Sequence, residues 1–285
     1  MKIRSVVLLS ALVLQGCLQT IAIRTMSGIM DNGFDAYFRE SDLEFAREGL
    51  AGNMKLLEAM IEGDKDNAHL LLLASEGYSA YALAFAEDDS VERARVFYLR
   101  GKDYGLRILK QHEAFRESLG KDLASFQRGL ATLSADDVPS VFWTAFGWGG
   151  YINITRSDVD AIADLSKVMA MMRFVAAKDP GYYYGGAHLF LGAIAGSMPP
   201  MLGGKPEVAK EHFEKAMALN GGKFLMTYVY YAKTYAVQIQ DKELFDSLLK
   251  KVEDASIDIL PEARLPNAVA KKKAALLRAQ EPELF

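Results

Sequence analysis

The chain shows a helical spacing of apolar residues over most of its length, and its first proline is Pro139. Apolar side chains recur at intervals of three and four residues, as at Leu43, Ala46 and Leu50, whereas the two-residue alternation of strands is scarce. This spacing places apolar side chains along one face of a helix, and proline would interrupt a helix in its interior. The sequence therefore predicts an all-α fold of about a dozen helices.

Several short motifs predict where individual helices begin and end. Ser41 and Asp89 each stand three residues before a glutamate, which is the spacing of a capping box. Pro206 follows two glycines and suits the first turn of a helix. Asn220-Gly221-Gly222 suits a helix end, because glycine adopts the left-handed conformation found there.

The predicted helices repeat in a pattern of small and large residues that is similar to tetratricopeptide hairpins. Small residues let two helices approach, and large residues fill the space beside them. The matching positions are Tyr81, Ala82 and Phe85 with Ala94, Tyr98 and Gly101; Leu191 and Gly192 with Ala209, Phe213 and Ala216; and Tyr231, Ala232 and Tyr235 with Leu244 and Leu248. The second match needs five inserted residues around Met198-Pro199-Pro200. We expect cryptic hairpins packed into a compact α-solenoid, and a plain helical bundle is the alternative.

The first seventeen residues have the layout of a signal peptide that ends at a cysteine. Lys2 and Arg4 precede an apolar run from Val6 to Leu14, and Cys17 is the only cysteine of the chain. Such a run is too short to cross a hydrocarbon core of about 30 Å as a helix. Its end, LQGC, resembles the lipobox of bacterial lipoproteins, which implies removal of residues 1–16 and lipidation of Cys17. An ordinary signal peptide with an unrelated cysteine is the alternative.

The composition argues against nucleic-acid binding and against stabilisation by disulfides. Removal of residues 1–16 would leave 269 residues with 31 basic and 37 acidic side chains, which is not the positive footprint that nucleic acid requires. We expect Lys271-Lys272-Lys273 to be a solvated face. A single cysteine allows no internal disulfide, so a buried core must stabilise the chain. Because no linker rich in Gly, Ser or Pro divides it, we predict one helical domain over residues 17–285, attached to a membrane only through its lipid.

No catalytic or metal-binding motif is recognisable. The four histidines, at positions 69, 112, 188 and 212, form neither HExxH nor a close pair with cysteine. Gly204-Lys205 lacks the leading glycine of a phosphate-binding loop, and the serine elbow GxSxG is absent. We therefore predict a protein that is not an enzyme and that uses neither a metal nor a cofactor.

Two aromatic segments rich in glycine are candidate ligand-binding regions. The first, from Phe142 to Tyr151, holds both tryptophans, and helical spacing puts its aromatic residues on two faces. The second, from Asp179 to His188, holds three successive tyrosines that cannot all be buried on one helix face. Glycines would allow a ligand to approach the backbone closely, although both segments also suit a structural core. The candidate ligand contacts are Trp143, Trp148, Asn153, Tyr182, Tyr183, Tyr184 and His188.

Three long segments resemble the T-component family of TRAP transporters, the TRAP-associated tetratricopeptide lipoproteins. They run from Phe142 to Gly149, from Asp179 through Gly204 into the second hairpin, and from Tyr230 to Leu249. Similarity of this kind covers nearly all of the chain after Cys17, and the lipobox agrees with it.

The resemblance implies a periplasmic, lipid-anchored protein that assembles as a trimer and works with the soluble substrate-binding protein of a TRAP uptake system. It also implies a cavity through each subunit that hands over a small organic ligand, either apolar or a carboxylate. Leu18 is not the aspartate associated with inner-membrane retention in some bacteria, which favours the outer membrane. The alternative function is a scaffold lipoprotein that organises an envelope complex through its helical grooves and holds no small ligand.

Overall fold

A computed structural model describes residue 26 and residues 28–155, 158–197 and 204–285, and these ranges contain helices and no strand. Helix α1 covers residues 28–38. The helices that follow are α2 (Leu43–Gly63), α3 (Ala68–Tyr81), α4 (Val91–Leu109), α5 (Glu113–Ser118), α6 (Leu123–Leu130), α7 (Val138–Ile154), α8 (Val159–Ala163), α9 (Leu165–Lys178), α10 (Tyr182–Ser197), α11 (Pro206–Asn220), α12 (Met226–Tyr230), α13 (Lys242–Asp254), α14 (Arg264–Ala279) and α15 (Glu281–Leu284). The predicted all-α fold is confirmed. The predicted signal peptide and Cys17 lie outside the described residues.

Two predicted helix starts are wrong by one residue. Asp42, not Ser41, caps α2 and accepts hydrogen bonds from the next turn at 3.0 and 3.1 Å. Ser90, not Asp89, caps α4 by accepting a hydrogen bond from the backbone N–H of Arg93 at 3.3 Å. Both sites pair a serine with an aspartate, and either residue type can cap a helix. Sequence spacing alone therefore could not choose between the two neighbours.

The other predicted helix ends are confirmed. Pro206 is the first residue of α11, where its missing N–H leaves no intrahelical bond unmade. Gly221 follows the end of α11 with φ of +61°, the left-handed conformation that glycine adopts without strain.

The first predicted hairpin is formed by α3 and α4, which pack against each other and against α7. Ala82, Ala94 and Tyr98 are completely or almost completely buried in it. The three helices approach one another closely beside Ser79, where a Cβ atom added to Gly147 would lie 2.8 Å from the hydroxyl oxygen. Glycine therefore fits at position 147, and a residue with a side chain would not fit without a shift of its neighbours.

The other two hairpins also form at the predicted positions. Helices α10 and α11 pack closely, with Gly192 against Ala209 and Phe213. The continuation of α12 packs on α13, and the rings of Phe213 and Tyr231 stack with centroids 4.6 Å apart between the two hairpins. The insertion predicted around residues 198–200 lies outside the described residues.

Two of the hairpins contain a π-helical segment at equivalent positions of the repeat. Helix α3 continues through the π-helical residues Ala82–Ala86 into a last α-helical turn, Glu87–Asp89. Helix α12 continues through the π-helical residues Tyr231–Ala236. Each segment starts at the Tyr-Ala pair of its predicted repeat, and a π-helical turn is wider than an α-helical one. Both segments contribute side chains to the wall of the same cavity.

The three consecutive lysines of α14 hold the end of the chain against earlier helices, so the predicted solvated face is wrong. Lys271 donates hydrogen bonds to three carbonyl oxygens at the end of α13, at 2.6 to 3.0 Å. Lys272 and Lys273 form ion pairs with Asp88, at 3.0 and 3.1 Å. Cations at a helix end satisfy carbonyl groups that have no intrahelical partner. None of the helices in the described ranges is long and apolar enough to cross a membrane.

Candidate functional site

A cavity of about 440 Å³ lies between helices from both ends of the described chain. Its wall contains residues of α1, α2, α3, α4, α7, α10, α12 and α14, together with the two π-helical segments. Most of the lining side chains are apolar or aromatic, among them Phe34, Phe38, Leu50, Leu83, Phe142, Phe146, Phe190, Phe224 and Val269. This size and composition are typical of small-molecule sites in proteins.

Tyr183 contacts four other aromatic side chains of this wall. Its ring centroid lies 4.8 Å from that of Trp143 and 5.5 Å from that of Phe142, both on α7. It lies 5.8 Å from that of Phe224 and 6.2 Å from that of Phe38 of α1. Edge-to-face and tilted contacts of this kind fix ring orientation beyond the effect of burial alone. The two aromatic segments predicted from the sequence therefore meet in one wall.

The backbone reaches this arrangement through a left-handed turn at the start of α10. Tyr183 has φ and ψ of 46° and 53°, Tyr184 has 60° and 32°, and Gly185 has 79° and 25°. Left-handed geometry is unfavourable for residues with a Cβ atom, so two tyrosines here store strain of the kind found at functional sites. The turn also explains how three successive tyrosines avoid a shared helix face.

Contacts from α11 hold the turn in place. The side-chain amide of Asn220 donates a hydrogen bond to the carbonyl oxygen of Tyr184 at 3.0 Å. Gly185 packs so closely on α11 that an added Cβ atom would lie 3.2 Å from the Cα atom of Ala216. The hairpin of α10 and α11 therefore keeps the ring of Tyr183 in the cavity wall.

Three of the predicted ligand contacts line the cavity, namely Trp143, Asn153 and Tyr183. Tyr184 lines a neighbouring, more open pocket of about 370 Å³ and stacks on Phe224 with centroids 5.0 Å apart. Tyr182 lines neither space and packs edge to face on Phe142 at 5.2 Å.

Trp148 and His188 also lie outside both spaces. Trp148 is buried in the core, and the ammonium group of Lys102 lies 5.3 Å from its ring centroid. His188 faces His212 of α11, with 2.9 Å between their Nδ1 atoms. Burial lowers the pKa of both imidazoles, so a neutral donor–acceptor pair is favoured between α10 and α11. Trp148 and His188 therefore contact other side chains of the protein and line neither the cavity nor the open pocket.

One of the two carboxylates of the cavity wall belongs to a bonded network. Glu87 accepts a hydrogen bond from the hydroxyl of Tyr98 at 2.5 Å and forms an ion pair with Lys273 at 3.3 Å. Burial, followed by the charge of Glu87, raises the pKa of Tyr98 well above its usual range, so this phenol stays protonated as the donor. The network joins the end of α3 to α14.

The second carboxylate, Glu76, was not identified from the sequence. It lies on α3, keeps part of its surface open to the cavity and is otherwise enclosed by protein. Burial, with a smaller effect from the negative charge of Asp35, raises its pKa to about 8. One feature of the sequence could have indicated Glu76: apart from histidine, it is the only acidic or basic residue in the segment Ala68–Tyr81.

Three residues, Phe38, Glu76 and Tyr183, line both the cavity and the more open pocket beside it. The open pocket adds charged side chains that the cavity lacks, namely Asp35, Arg39 and Glu262. The partition between the apolar cavity and the polar pocket therefore consists of two aromatic rings and one carboxyl group.

No group of three or more His, Cys, Asp or Glu side chains within the described ranges is arranged to hold a metal ion. The arrangement of the cavity suits non-covalent binding of a small molecule by apolar contact, with a few polar groups to orient it.

Comparisons with known proteins place the chain in a family. Residues 39–285 match the TRAP transporter T-component family. The chain is also 23% identical over 274 residues to an uncharacterized protein of Treponema pallidum (strain Nichols), a match that covers 90% of this chain and 85% of that protein. The matched region contains all the residues that line the cavity except those of α1. The chain therefore belongs to the TRAP transporter T-component family, the accessory components of these transporters.

Proposed function

We propose that this T-component holds a small organic ligand in its cavity and presents it to the substrate-binding protein of a TRAP uptake system. The cavity is the observation that carries the proposal, because it offers about 440 Å³ behind a mainly apolar and aromatic wall. Membership of the family supports the class of partner.

An apolar ligand or the apolar part of an amphipathic one would gain most of its binding free energy from burial. Each Å² of apolar surface removed from water contributes about 25 cal/mol before the costs of association are subtracted. Because Tyr183 is fixed by its contacts with Trp143 and Phe142, this part of the wall is ordered before a ligand arrives. A pre-ordered wall reduces the entropy that binding must overcome.

The proposal places the protein on the periplasmic side of the cell envelope, anchored through acyl chains on Cys17 after removal of residues 1–16. The lipobox-like sequence supports this anchoring, and Leu18 favours the outer membrane. One acyl chain holds a protein only marginally, whereas several together hold it firmly. Residues 17–285 then act as one helical domain, and the family resemblance supports assembly as a homotrimer.

A substitution that fills the cavity tests the proposal. Ala193 of α10 lines the cavity and is only half buried, so Ala193→Phe should occupy the space without crowding the core. Ala177→Phe, at an exposed position of α9, adds the same ring outside the cavity and is the matched control.

Binding of octanol is followed by tryptophan fluorescence, since Trp143 lies in the wall. Capture of a purified TRAP substrate-binding protein from the same organism is measured in parallel. The parent and Ala177→Phe should bind octanol, whereas Ala193→Phe should lose at least about tenfold in affinity while keeping its helical circular dichroism. Equal octanol binding by all three proteins would exclude the cavity as the ligand site.

A further inference from the structure

The charges on the cavity wall restrict the ligand that it can hold. Of the two carboxyl groups that line the cavity, Glu87 is bonded to Tyr98 and Lys273. Glu76 has neither a hydrogen bond nor an ion pair with any described residue. Lys233 is the only lysine or arginine among the described lining residues, and it is already engaged with another group. Among the described residues, the wall therefore offers one carboxyl group whose hydrogen-bonding capacity is unused.

The position of Glu76 fits it to receive one end of a ligand. It lies in the partition with Phe38 and Tyr183, whose rings contact each other edge to face at 6.2 Å. The hydroxyl of Tyr183 also makes no hydrogen bond with a described residue. An unpaired carboxyl group in an apolar wall costs free energy that a suitable ligand group would recover. Burial and the charge of Asp35 hold the pKa of Glu76 high, as expected for a carboxyl group with no cationic partner among the described residues.

The charged groups around Glu76 are mainly acidic. Asp35 of α1 raises its pKa, and Glu262 lies in the adjoining pocket. Arg39 of α1 is the one lysine or arginine among the described residues that line that pocket. Because two further carboxylates oppose a single guanidinium, an anionic ligand group at Glu76 would meet like charges. A hydrogen-bond donor would instead use the acceptor oxygens of Glu76.

We propose that Glu76 receives the polar end of the ligand, an inference that rests on the ligand-binding function proposed above. This polar end is a hydrogen-bond donor, either a protonated amine or a hydroxyl, and not a carboxylate. The apolar body of the ligand lies along the aromatic wall, and its polar end points to the partition formed by Phe38, Glu76 and Tyr183. A protonated amine supplies a counter-ion, which favours the ionised form of Glu76 and forms an ion pair with it.

A series of probes with one chain length and three polar ends tests this assignment. Octylamine, octanol and octanoate are titrated into the full chain at about pH 9, where Glu76 is mainly ionised and octylamine is still protonated, and their affinities are measured by calorimetry. Octylamine should bind at least about tenfold more tightly than octanoate, since a hydrogen bond to a charged group is worth more than a neutral one. Octanol should lie between them.

Two variants assign the preference to Glu76. Glu76→Gln keeps the size of the side chain and removes its charge, so the affinities of octylamine and octanoate should come within about threefold of each other while octanol changes little. Glu48→Gln removes one negative charge from an exposed position of α2 that lines neither the cavity nor the open pocket, and it should retain the preference of the parent.

The outcomes separate this assignment from the function on which it rests. Failure of octanol to bind the parent would contradict the proposed ligand-binding function itself. Normal octanol binding with octanoate at least as tight as octylamine would overturn only the assignment of the polar end. An amine preference that survives in Glu76→Gln would overturn the role of Glu76.

Discussion

The ring of Tyr183 meets the indole of Trp143 edge to face, with centroids 4.8 Å apart, and this contact joins the left-handed turn of α10 to the buried helix α7. The two residues belong to the two aromatic segments that stand out in the sequence. Their contact makes those segments one wall of the cavity. The local backbone of α10 and the shape of the cavity therefore depend on each other.

We expect Gly185→Ala to destabilise the protein by about 1–3 kcal/mol, because the new side chain would be strained in the left-handed conformation and would press on α11. The φ angle is +79°, and the added Cβ atom would lie 3.2 Å from the Cα atom of Ala216. Gly181→Ala is the control, since its Cβ atom would meet only a carboxylate oxygen of Asp179 at 3.6 Å. Chemical denaturation compares the two variants, and equal free energies of unfolding would contradict the left-handed turn.

We expect Ala94→Phe to cost about 1–3 kcal/mol, because extra volume in a close-packed core forces neighbouring side chains out of their preferred rotamers. Ala94 is fully buried in the hairpin of α3 and α4, beside Tyr98. The exposed variant Ala177→Phe adds the same ring without crowding. An unchanged melting temperature for Ala94→Phe would contradict the close packing of Ala94 in this hairpin.

These hairpins were predictable because their signal is local. Small and large residues alternate at fixed helical spacing, as at Ala82, Ala94 and Tyr98, and close packing of two neighbouring helices needs that pattern. The all-α fold follows for the same reason, since a helix satisfies its backbone hydrogen bonds within its own segment.

The left-handed turn and the π-helical segments could not be predicted in this way. Tyr183 and Tyr184 have side chains that disfavour positive φ, and only tertiary contacts such as that of Asn220 overcome the preference. Likewise, the sequence of Ala82–Ala86 suits an α-helix as well as the wider π-helix that it forms. Local preference is therefore a poor guide where the chain forms the cavity.

The candidate site was partly predictable. Its aromatic members were recognisable as a cluster in the sequence, and Trp143, Asn153 and Tyr183 do line the cavity. Glu76 was missed because its surroundings are set by α1 and α10, which are remote in sequence. An isolated carboxylate in an apolar helix has meaning only once its neighbours are known.

The raised pKa of Glu76 predicts how stability depends on pH. Its pKa rises from an ordinary value of 4.5 to about 8 on folding, so the folded state favours the protonated form. This contribution to stability is fully present below about pH 4.5, and it is lost as the pH rises towards 8 because the unfolded chain gives up the proton first. Glu76→Gln, which stays neutral, should therefore exceed the parent by about 1–3 kcal/mol near pH 8 and match it near pH 4.

Melting temperatures of the parent and Glu76→Gln across this range provide the measurement. Glu262→Gln, at an exposed position, should follow the parent at every pH. A difference in melting temperature between Glu76→Gln and the parent that stays constant from pH 4 to pH 8 would contradict the raised pKa of Glu76.

We expect Cys17→Ala to prevent acylation and to leave the precursor unprocessed or mislocalised, because the thiol of Cys17 is the proposed attachment point of the lipid. The parent, carrying several acyl chains, should remain in the membrane fraction. Fractionation and the mass of the processed chain give the result. A Cys17→Ala protein that is cleaved and fractionates like the parent would rule out the lipid anchor.

The most direct test of the ligand-binding function is native mass spectrometry of the protein extracted gently from the envelope of the cell that makes it. We predict that the parent and Ala177→Phe carry a small organic molecule, and that Ala193→Phe, whose cavity is filled, carries none. A parent without a bound molecule, or an equally loaded Ala193→Phe variant, would contradict the assignment of this cavity as the ligand site.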